Sequence, residues 1–392
     1  MHLAVLSPSL SRAAGGIYEI ERSLSLALDD LPDVSVDVFG LEDHHTAADL
    51  PEWSPLSPSV FKVRGPGAFG YAPGLREALF RTSADILHLH ALWMYTSVVS
   101  VQWTRQLGKP HVVTINGMLD DWALNNSGWK KQLAGWAYER PNLEEAGCIQ
   151  VNTKKELRAV RAYGIDAPVC VIPNGVDLPS PNATNHAPPW RGVIEPNTKV
   201  LLFLGRLHPK KGLHELIDAW EDWSRQSSAG DEWALGIIGW DDGGHEHTLR
   251  QRAKNTGAGG SIHFLGPQFG ADKHAAFAHA DAFILPSYSE GFPMAVLEAW
   301  SHRLPVLKTD ACNIPEGFES GAAIEVTTDT ESIAAGIEEV TRADADERAA
   351  IGGRGRKLVE DRFTWPRVAR QMNDVYQWIL GYGDRPDSVV MN

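Results

Sequence analysis

Four short stretches of this sequence combine residue types and spacings that suit a phosphorylated, sugar-like ligand. In the first, the apolar run KVLLFL ends in Gly205-Arg206, and Lys211-Gly212 opens the helix-period stretch that follows. An Arg and a Lys on one loop fit a diphosphate, as a planar fork plus a mobile point charge. Ordinary charges on a solvated loop are the competing reading, and the position at a strand's carboxyl end weighs against it. The second stretch runs Glu290-Gly291-Phe292-Pro293-Met294-Ala295-Val296-Leu297-Glu298 after the apolar run AFILPS. Pro293 fits the first helical position, which leaves the N–H groups of Met294 and Ala295 for a phosphate. Glu298, on the helix, could accept hydrogen bonds from both hydroxyls of a ribose. Glu290, ahead of the helix, could hold the hydroxyls of a second sugar.

The third stretch is Ser11-Arg12-Ala13-Ala14-Gly15-Gly16, followed by the helical pattern IYEIERSLSLAL. Glycines there would admit a phosphate to a helix N-terminus, while a tight loop needing positive φ explains them equally well. In the fourth, His88-Leu89-His90 places both imidazoles on one face of a strand end. Ala91-Leu92-Trp93 follows, and the run HVVTI delivers Asn116-Gly117-Met118 with Asp120, Asp121 and Trp122 behind it. His90, Trp93, Met118 and Trp122 suit a sugar-like acceptor, whereas His88 reads as a half-buried structural histidine.

Such residues need rigid strand ends to hold them. Apolar runs occur at 3–7, 34–39, 86–89, 111–115, 148–151 and 169–172, and again at 200–204, 234–238, 262–264, 282–285, 305–307 and 323–326. Amphipathic stretches separate them; Leu213, Leu216, Ile217 and Trp220 fall on one helical face. Strands alternating with helices imply parallel sheets, and two sets imply two doubly wound α/β domains. Pro173-Asn174-Gly175 supplies turn chemistry for a hinge, and the proline-rich residues 179–198 read as a linker. The domains are therefore expected at 1–175 and 176–365, with a last helix at 366–385.

Composition narrows the class. A chain of 392 residues exceeds the usual single core, and a net charge of -14 argues against a nucleic-acid coat. Three scattered cysteines fit a reducing compartment and exclude a disulfide scaffold or a CxxC metal site. No apolar run is long enough to span a bilayer, and HLAVLSP reads as a buried strand without a basic leader. The expectation is a cytoplasmic protein. Gly65 to Gly70 matches GxGxxG, but Pro73-Gly74 is expected to interrupt the helix such a fingerprint requires. Asp344-Ala345-Asp346 reads as part of a charged helix, and His245-Glu246-His247 lacks metal spacing. Thr153 and Glu156 make a capping box. The Asn182-Ala183-Thr184 sequon reads as chance.

Taken together, AAGGIYE, ILHLHALW, INGMLDDWAL, VIPNGVD, GRLHPKKGL, SEGFPMAVLEA and the final F-T-W helix resemble the family-4 retaining glycosyltransferases, the group 1 glycosyltransferases of the GT-B fold. The resemblance implies two Rossmann-like domains facing across a cleft, the N-terminal one holding the acceptor and the C-terminal one a nucleotide-diphosphate sugar. It also implies that helix 366–385 packs back on the first domain. By the same resemblance, Arg206 and Lys211 neutralise the diphosphate, with Gly15 and Gly16 assisting across the cleft. Glu298 then binds the ribose, Glu290 the donor sugar, and the backbone near Gly266 to Gln268 frames the base. Gly291, Phe292, Met294 and Ala295 complete the donor loop, and no metal or other cofactor is implied. Relatives often carry His where this chain has Asn116, which puts any acid–base role there in doubt, and EGFG becomes EGFP.

The leading expectation is thus a hexosyltransferase acting on a saccharide or lipid-linked saccharide in polysaccharide biosynthesis. An epimerase or hydrolase of nucleotide sugars, or a two-lobed sugar-binding protein, are the competing classes. Basic residues interleaved with aromatics at 62–81, and Lys130, Lys131, Lys154, Lys155, Arg158 and Arg161, suggest peripheral contact with an anionic inner membrane face, with scattered solvated charges as the plainer reading.

Overall fold

The structure, a computed structural model, describes residues 1–119, 134–179, 185–227 and 229–392. The chain divides into two units, residues 1–175 with 365–392, and residues 176–364. The first unit holds strands β1 (His2–Ser7), β2 (Ser35–Leu41), β3 (Ser59–Phe61), β4 (Ile86–His90), β5 (His111–Thr114), β6 (Cys148–Val151) and β7 (Val169–Val171). The second holds β8 (Lys199–Leu204), β9 (Trp233–Ile238), β10 (Ile262–Phe264), β11 (Ala282–Leu285), β12 (Val306–Lys308) and β13 (Ala323–Glu325). A last strand, β14 (Val389–Val390), returns to the first unit.

Unit 1 is an eight-stranded sheet in the order β14-β7-β6-β5-β4-β1-β2-β3. It is parallel except for β14, which runs antiparallel to β7. Unit 2 is a six-stranded parallel sheet in the order β10-β9-β8-β11-β12-β13. Parallel strands are covered on both faces, so their residues form unbroken apolar runs; β6 and β9 are buried throughout. Helix Leu213–Gln226 shows the matching helical logic, burying Leu213, Leu216, Ile217 and Trp220 on one face.

Helix Trp365–Ile379 belongs to unit 1 and packs against helix Gly16–Asp29. Its buried face carries Trp365, Val368, Ala369, Met372, Val375 and Tyr376. The Tyr376 hydroxyl lies 2.6 Å from His88 Nδ1, which ties this late helix to the middle of the sheet.

Three expectations need correction. Residues 188–198 are not a bare linker: Trp190 and Ile194 are buried in the unit 2 core, and the Ile194 N–H donates to the Trp190 carbonyl at 3.0 Å. Pro73 does not interrupt a helix but opens one, Pro73–Leu79, where its missing N–H costs nothing. Asp344 stands just before helix Ala345–Arg362 as its N-cap, in a capping box with Glu347. Thr153 caps helix Lys154–Ala162, accepting the Glu156 N–H at 3.1 Å, while Glu156 Oε2 accepts the Asn152 N–H at 2.6 Å. Phe61, Phe69 and Phe80 pack against the unit 1 core, which leaves Tyr71 as the exposed aromatic of residues 62–81. Asp120, Asp121, Trp122, Lys130, Lys131 and the 182–184 sequon lie outside the described residues.

Candidate functional site

Within unit 2, β8 and β11 are neighbours, and their carboxyl-end loops meet. Gly212 makes the meeting close. It adopts φ +68°, and a Cβ there would stand 2.2 Å from the Pro286 carbonyl oxygen. The Tyr288 N–H donates to the Lys210 carbonyl at 2.8 Å from the same side. This approach sets Lys211 Nζ 2.6 Å from Glu290 Oε1, with both residues buried. The Ser287 hydroxyl donates to the same oxygen at 2.6 Å. Removing two charges from water is costly, and the short pair with its added hydroxyl offsets that cost.

The Glu290 backbone is fixed from a third strand. Asn313 Nδ2 donates to the carbonyls of Glu290 and Gly291 at 2.6 and 3.1 Å, and the Glu290 N–H donates to the Ala311 carbonyl at 3.1 Å. Thr309 Oγ1, just beyond β12, donates to the Ser287 carbonyl at 2.7 Å. None of these supports is visible as a motif, because each partner is remote in sequence.

Arg206 is the open member of the group. Its Nη1 lies 3.1 Å from Asp242 Oδ2, with both side chains well exposed. A surface pair of this kind is weak, so a ligand phosphate can replace the Asp242 carboxylate. Glu298 Oε1 lies 2.8 Å from Lys273 Nζ on helix Gly270–His279, a cation that sequence reasoning missed. Gln268 turns its amide back, Nε2 donating to the Leu265 carbonyl at 2.9 Å.

Pro293 is not the first helical residue. It precedes helix Met294–Ser301 as an extended N-cap with ψ 101°, and the Val296 N–H donates to its carbonyl at 3.1 Å. The N–H groups of Met294 and Ala295 therefore come before the first bond of the helix. The Phe292 ring packs near that of Phe363, with centroids 6.1 Å apart. Among the described residues, no three or more His, Cys, Asp or Glu side chains are grouped to hold a metal.

Unit 1 has its own polar cluster at the carboxyl ends of β4 and β5. His88 is structural: besides Tyr376, its Nε2 lies 2.6 Å from Thr114 Oγ1. His90 is buried, which pushes its pKa down to about 3, and its Nδ1 has no hydrogen-bond partner among the described residues. Asn116 adopts φ +45°, a conformation Asn tolerates, and neither atom of its buried amide has a partner there. The Met118 sulfur accepts the Leu92 N–H at 3.2 Å. Trp93, at φ +74°, is held at both ends of its backbone. Its N–H donates to Glu139 Oε2 at 2.5 Å, and its carbonyl accepts the Tyr138 hydroxyl at 2.9 Å. Burial pushes the Glu139 carboxyl up to about 7. Sequence reasoning missed Tyr138 and Glu139, since nothing in their spacing links them to Trp93.

At the start of the chain, Gly15 (φ +59°, ψ -133°) precedes helix Gly16–Asp29, and a Cβ on either Gly15 or Gly16 would meet nothing within 4 Å. The loop before it is braced by Asp43, which accepts the Ser9 and Ser11 hydroxyls at 2.5 and 2.6 Å, and by Asp49, paired with Arg12.

The family described as glycosyl transferases group 1 matches residues 189–358, and the glycosyl transferase 4-like domain matches residues 16–175. A putative colanic acid biosynthesis glycosyltransferase, WcaL of Salmonella typhimurium, is 30% identical over 187 residues. That match spans 46% of this chain and 45% of the WcaL chain, about half of each. The D-inositol 3-phosphate glycosyltransferase of Actinosynnema mirum is 25% identical over 412 residues, covering 96% of this chain and 95% of its own. Among solved structures, Anabaena HepE in complex with UDP and glucose superposes with a TM-score of 0.76 at 20% identity, covering 96% of this chain and all of that one (100%). Sucrose-phosphate synthase from Thermosynechococcus elongatus gives 0.73 at 18% identity, covering 97% and 100%. These likenesses show the GT-B fold.

Proposed function

The chain belongs to the group 1 glycosyltransferases, and from that premise we propose that it moves a sugar from a nucleoside-diphosphate donor to a saccharide acceptor, with retention of anomeric configuration and without a metal. One observation carries the reading: Lys211, Glu290 and Ser287 form a buried charged knot where the loops after β8 and β11 meet, and the solvent-open guanidinium of Arg206 comes from the same β8 loop. As the glycosidic bond to the donor breaks, negative charge grows on the departing diphosphate. Arg206 and Lys211 stabilise that charge, and the N–H groups of Met294 and Ala295 add a helix end. Two side-chain cations thus fill the role a metal ion plays elsewhere. Glu290 orients the donor sugar through its hydroxyls, and Glu298 holds the ribose. The leaving phosphate takes the acceptor proton, so positioning and electrostatics carry the rate.

A nucleotide-sugar donor is supported by the relatives: HepE has been solved with UDP and with UDP-glucose. The colanic acid name of WcaL supports a saccharide acceptor in polysaccharide synthesis. In unit 1, the polar atoms of His90 and Asn116 that have no partner among the described residues, with Trp93 and Met118 nearby in sequence, supply hydrogen bonds and apolar contact for that acceptor. If the acceptor is lipid-linked, the exposed Lys154 and Arg158 offer a basic face to an anionic membrane. No described helix is long and apolar enough to cross one. Flotation with anionic liposomes tests that contact.

The function is tested by mixing the purified protein with sugar nucleotides and saccharide acceptors, then determining the anomer of the product by NMR with and without EDTA. Transfer with retention, unchanged by EDTA, is the expected result. Rapid isomerisation or hydrolysis of the donor alone would point instead to an epimerase or a hydrolase.

A further inference from the structure

We infer that Trp240 and Phe269 form the platform on which the nucleobase of the donor stacks, so that this pair sets how tightly any nucleoside diphosphate is held. The inference rests on the donor site proposed above and extends it to the far end of the nucleotide.

Phe269 is 64% exposed and Trp240 45%, although large aromatic side chains are normally covered. The two rings lie together, with centroids 6.4 Å apart and planes 25° from parallel. Their place in the sheet is specific. Trp240 follows β9 and Phe269 follows β10, and these are adjacent parallel strands whose carboxyl ends point the same way.

Hydrogen bonds lace both loops to the donor residues. The Gly239 N–H donates to the Gly266 carbonyl at 3.1 Å, joining the β9 and β10 loops. The Leu207 N–H donates to the Trp240 carbonyl at 2.9 Å, joining the β9 loop to the loop of Arg206. On the other side, the Phe269 carbonyl accepts the Lys273 N–H at 3.3 Å, and Lys273 Nζ reaches Glu298 at 2.8 Å. The aromatic pair is therefore tethered to the diphosphate cation by one loop and to the ribose acid by the next. A nucleoside diphosphate carries diphosphate, ribose and base in one covalent chain, so a molecule gripped at Arg206 and Glu298 has a flat apolar base left to place. Two exposed, nearly parallel rings meet that need. Stacking tolerates any base, because every base has a π face. The platform accordingly adds affinity without choosing among the bases.

The test is equilibrium titration of the full chain with UDP, ADP, GDP and inorganic pyrophosphate, in wild type and in Trp240→Ala, Phe269→Ala, Trp240→Phe and Arg206→Ala. Both aromatic truncations should weaken every nucleoside diphosphate by about 10- to 100-fold, within the range that base stacking provides. They should leave pyrophosphate binding unchanged, Trp240→Phe should restore most of the affinity, and Arg206→Ala should weaken pyrophosphate as well. Because both side chains are exposed, the variants should keep the wild-type melting temperature. Unchanged nucleotide affinity in both truncations, or an equal loss for pyrophosphate, would overturn the inference while leaving the donor site standing. A raised KM for the acceptor with unchanged nucleotide affinity would also overturn it, by assigning the platform to a sugar ring. Failure of the wild type to bind any of the nucleotides would remove the donor reading itself.

Discussion

Lys211 Nζ stands 2.6 Å from Glu290 Oε1, and this buried pair joins the loops at the ends of two adjacent parallel strands, β8 and β11. It is both a structural fastening and, on the proposed chemistry, part of the machinery. Those two roles are separable by substitution. Lys211→Met leaves Glu290 charged and buried, and should cost about 3–5 kcal/mol of unfolding free energy. The double variant Lys211→Met with Glu290→Gln removes both charges and should recover most of that loss. Its transfer rate should stay about 10²–10³ below wild type, since the diphosphate cation is still missing. Urea denaturation and steady-state kinetics on the three proteins check this; recovery of rate together with stability would assign the pair a purely structural role.

Gly212 permits that pairing. At φ +68° with the Pro286 carbonyl 2.2 Å from where a Cβ would stand, alanine cannot be accommodated without moving the loop. Gly212→Ala is expected to lower stability by more than 1 kcal/mol and to weaken nucleoside-diphosphate binding as well. Thermal melts with and without UDP would show both effects; a variant with wild-type melting and wild-type UDP stabilisation would contradict the account.

Asn116 makes the opposite prediction. Neither atom of its buried amide has a partner among the described residues, so removing it sacrifices no hydrogen bond to any of them. Asn116→Gly, which keeps the left-handed backbone, should change stability by less than about 1 kcal/mol while lowering kcat/KM by about tenfold or more. Wild-type kinetics in this variant would remove Asn116 from the site.

The buried histidines dictate a pH response. His90 titrates at about 3 in the folded protein because burial disfavours its charged form, against an ordinary value near 6.5. Between those values the unfolded chain binds the extra proton, so stability rises with pH through that window and falls on acidification. From pH 7.5 to pH 5 the loss from His90 alone is about 2 kcal/mol. His88, lowered by burial and then by His90, adds to it in the same direction. Denaturation curves at the two pH values should differ less in His90→Gln than in wild type, and an equal difference in both would refute the assignment.

What the sequence reveals and what it hides follow from the same physics. The strands of the parallel sheets are legible because burial on both faces demands unbroken apolar runs, as in β6 and β9. The edge strands β3 and β14 are not: they span three and two residues, too short for a periodicity to read. At the site, Arg206, Lys211, Glu290 and Glu298 stand out through their position after apolar runs. Ser287, Asn313, Lys273 and Asp242 do not, because their importance comes from hydrogen bonds and ion pairs to remote segments. Likewise Glu139 is one acidic residue among many until the fold sets it against the Trp93 backbone.

On the proposed chemistry, the Arg206, Lys211 and Glu290 site releases a nucleoside diphosphate as a sugar moves to an acceptor. Phosphorus NMR of the protein mixed with UDP-, GDP- and ADP-sugars and an oligosaccharide acceptor reads that event directly. One nucleotide sugar should give its nucleoside diphosphate in step with a lengthened saccharide, and Arg206→Ala and Glu290→Gln should slow both signals together. Intact donors across the whole panel, or nucleotide release that both variants leave untouched, would contradict that chemistry.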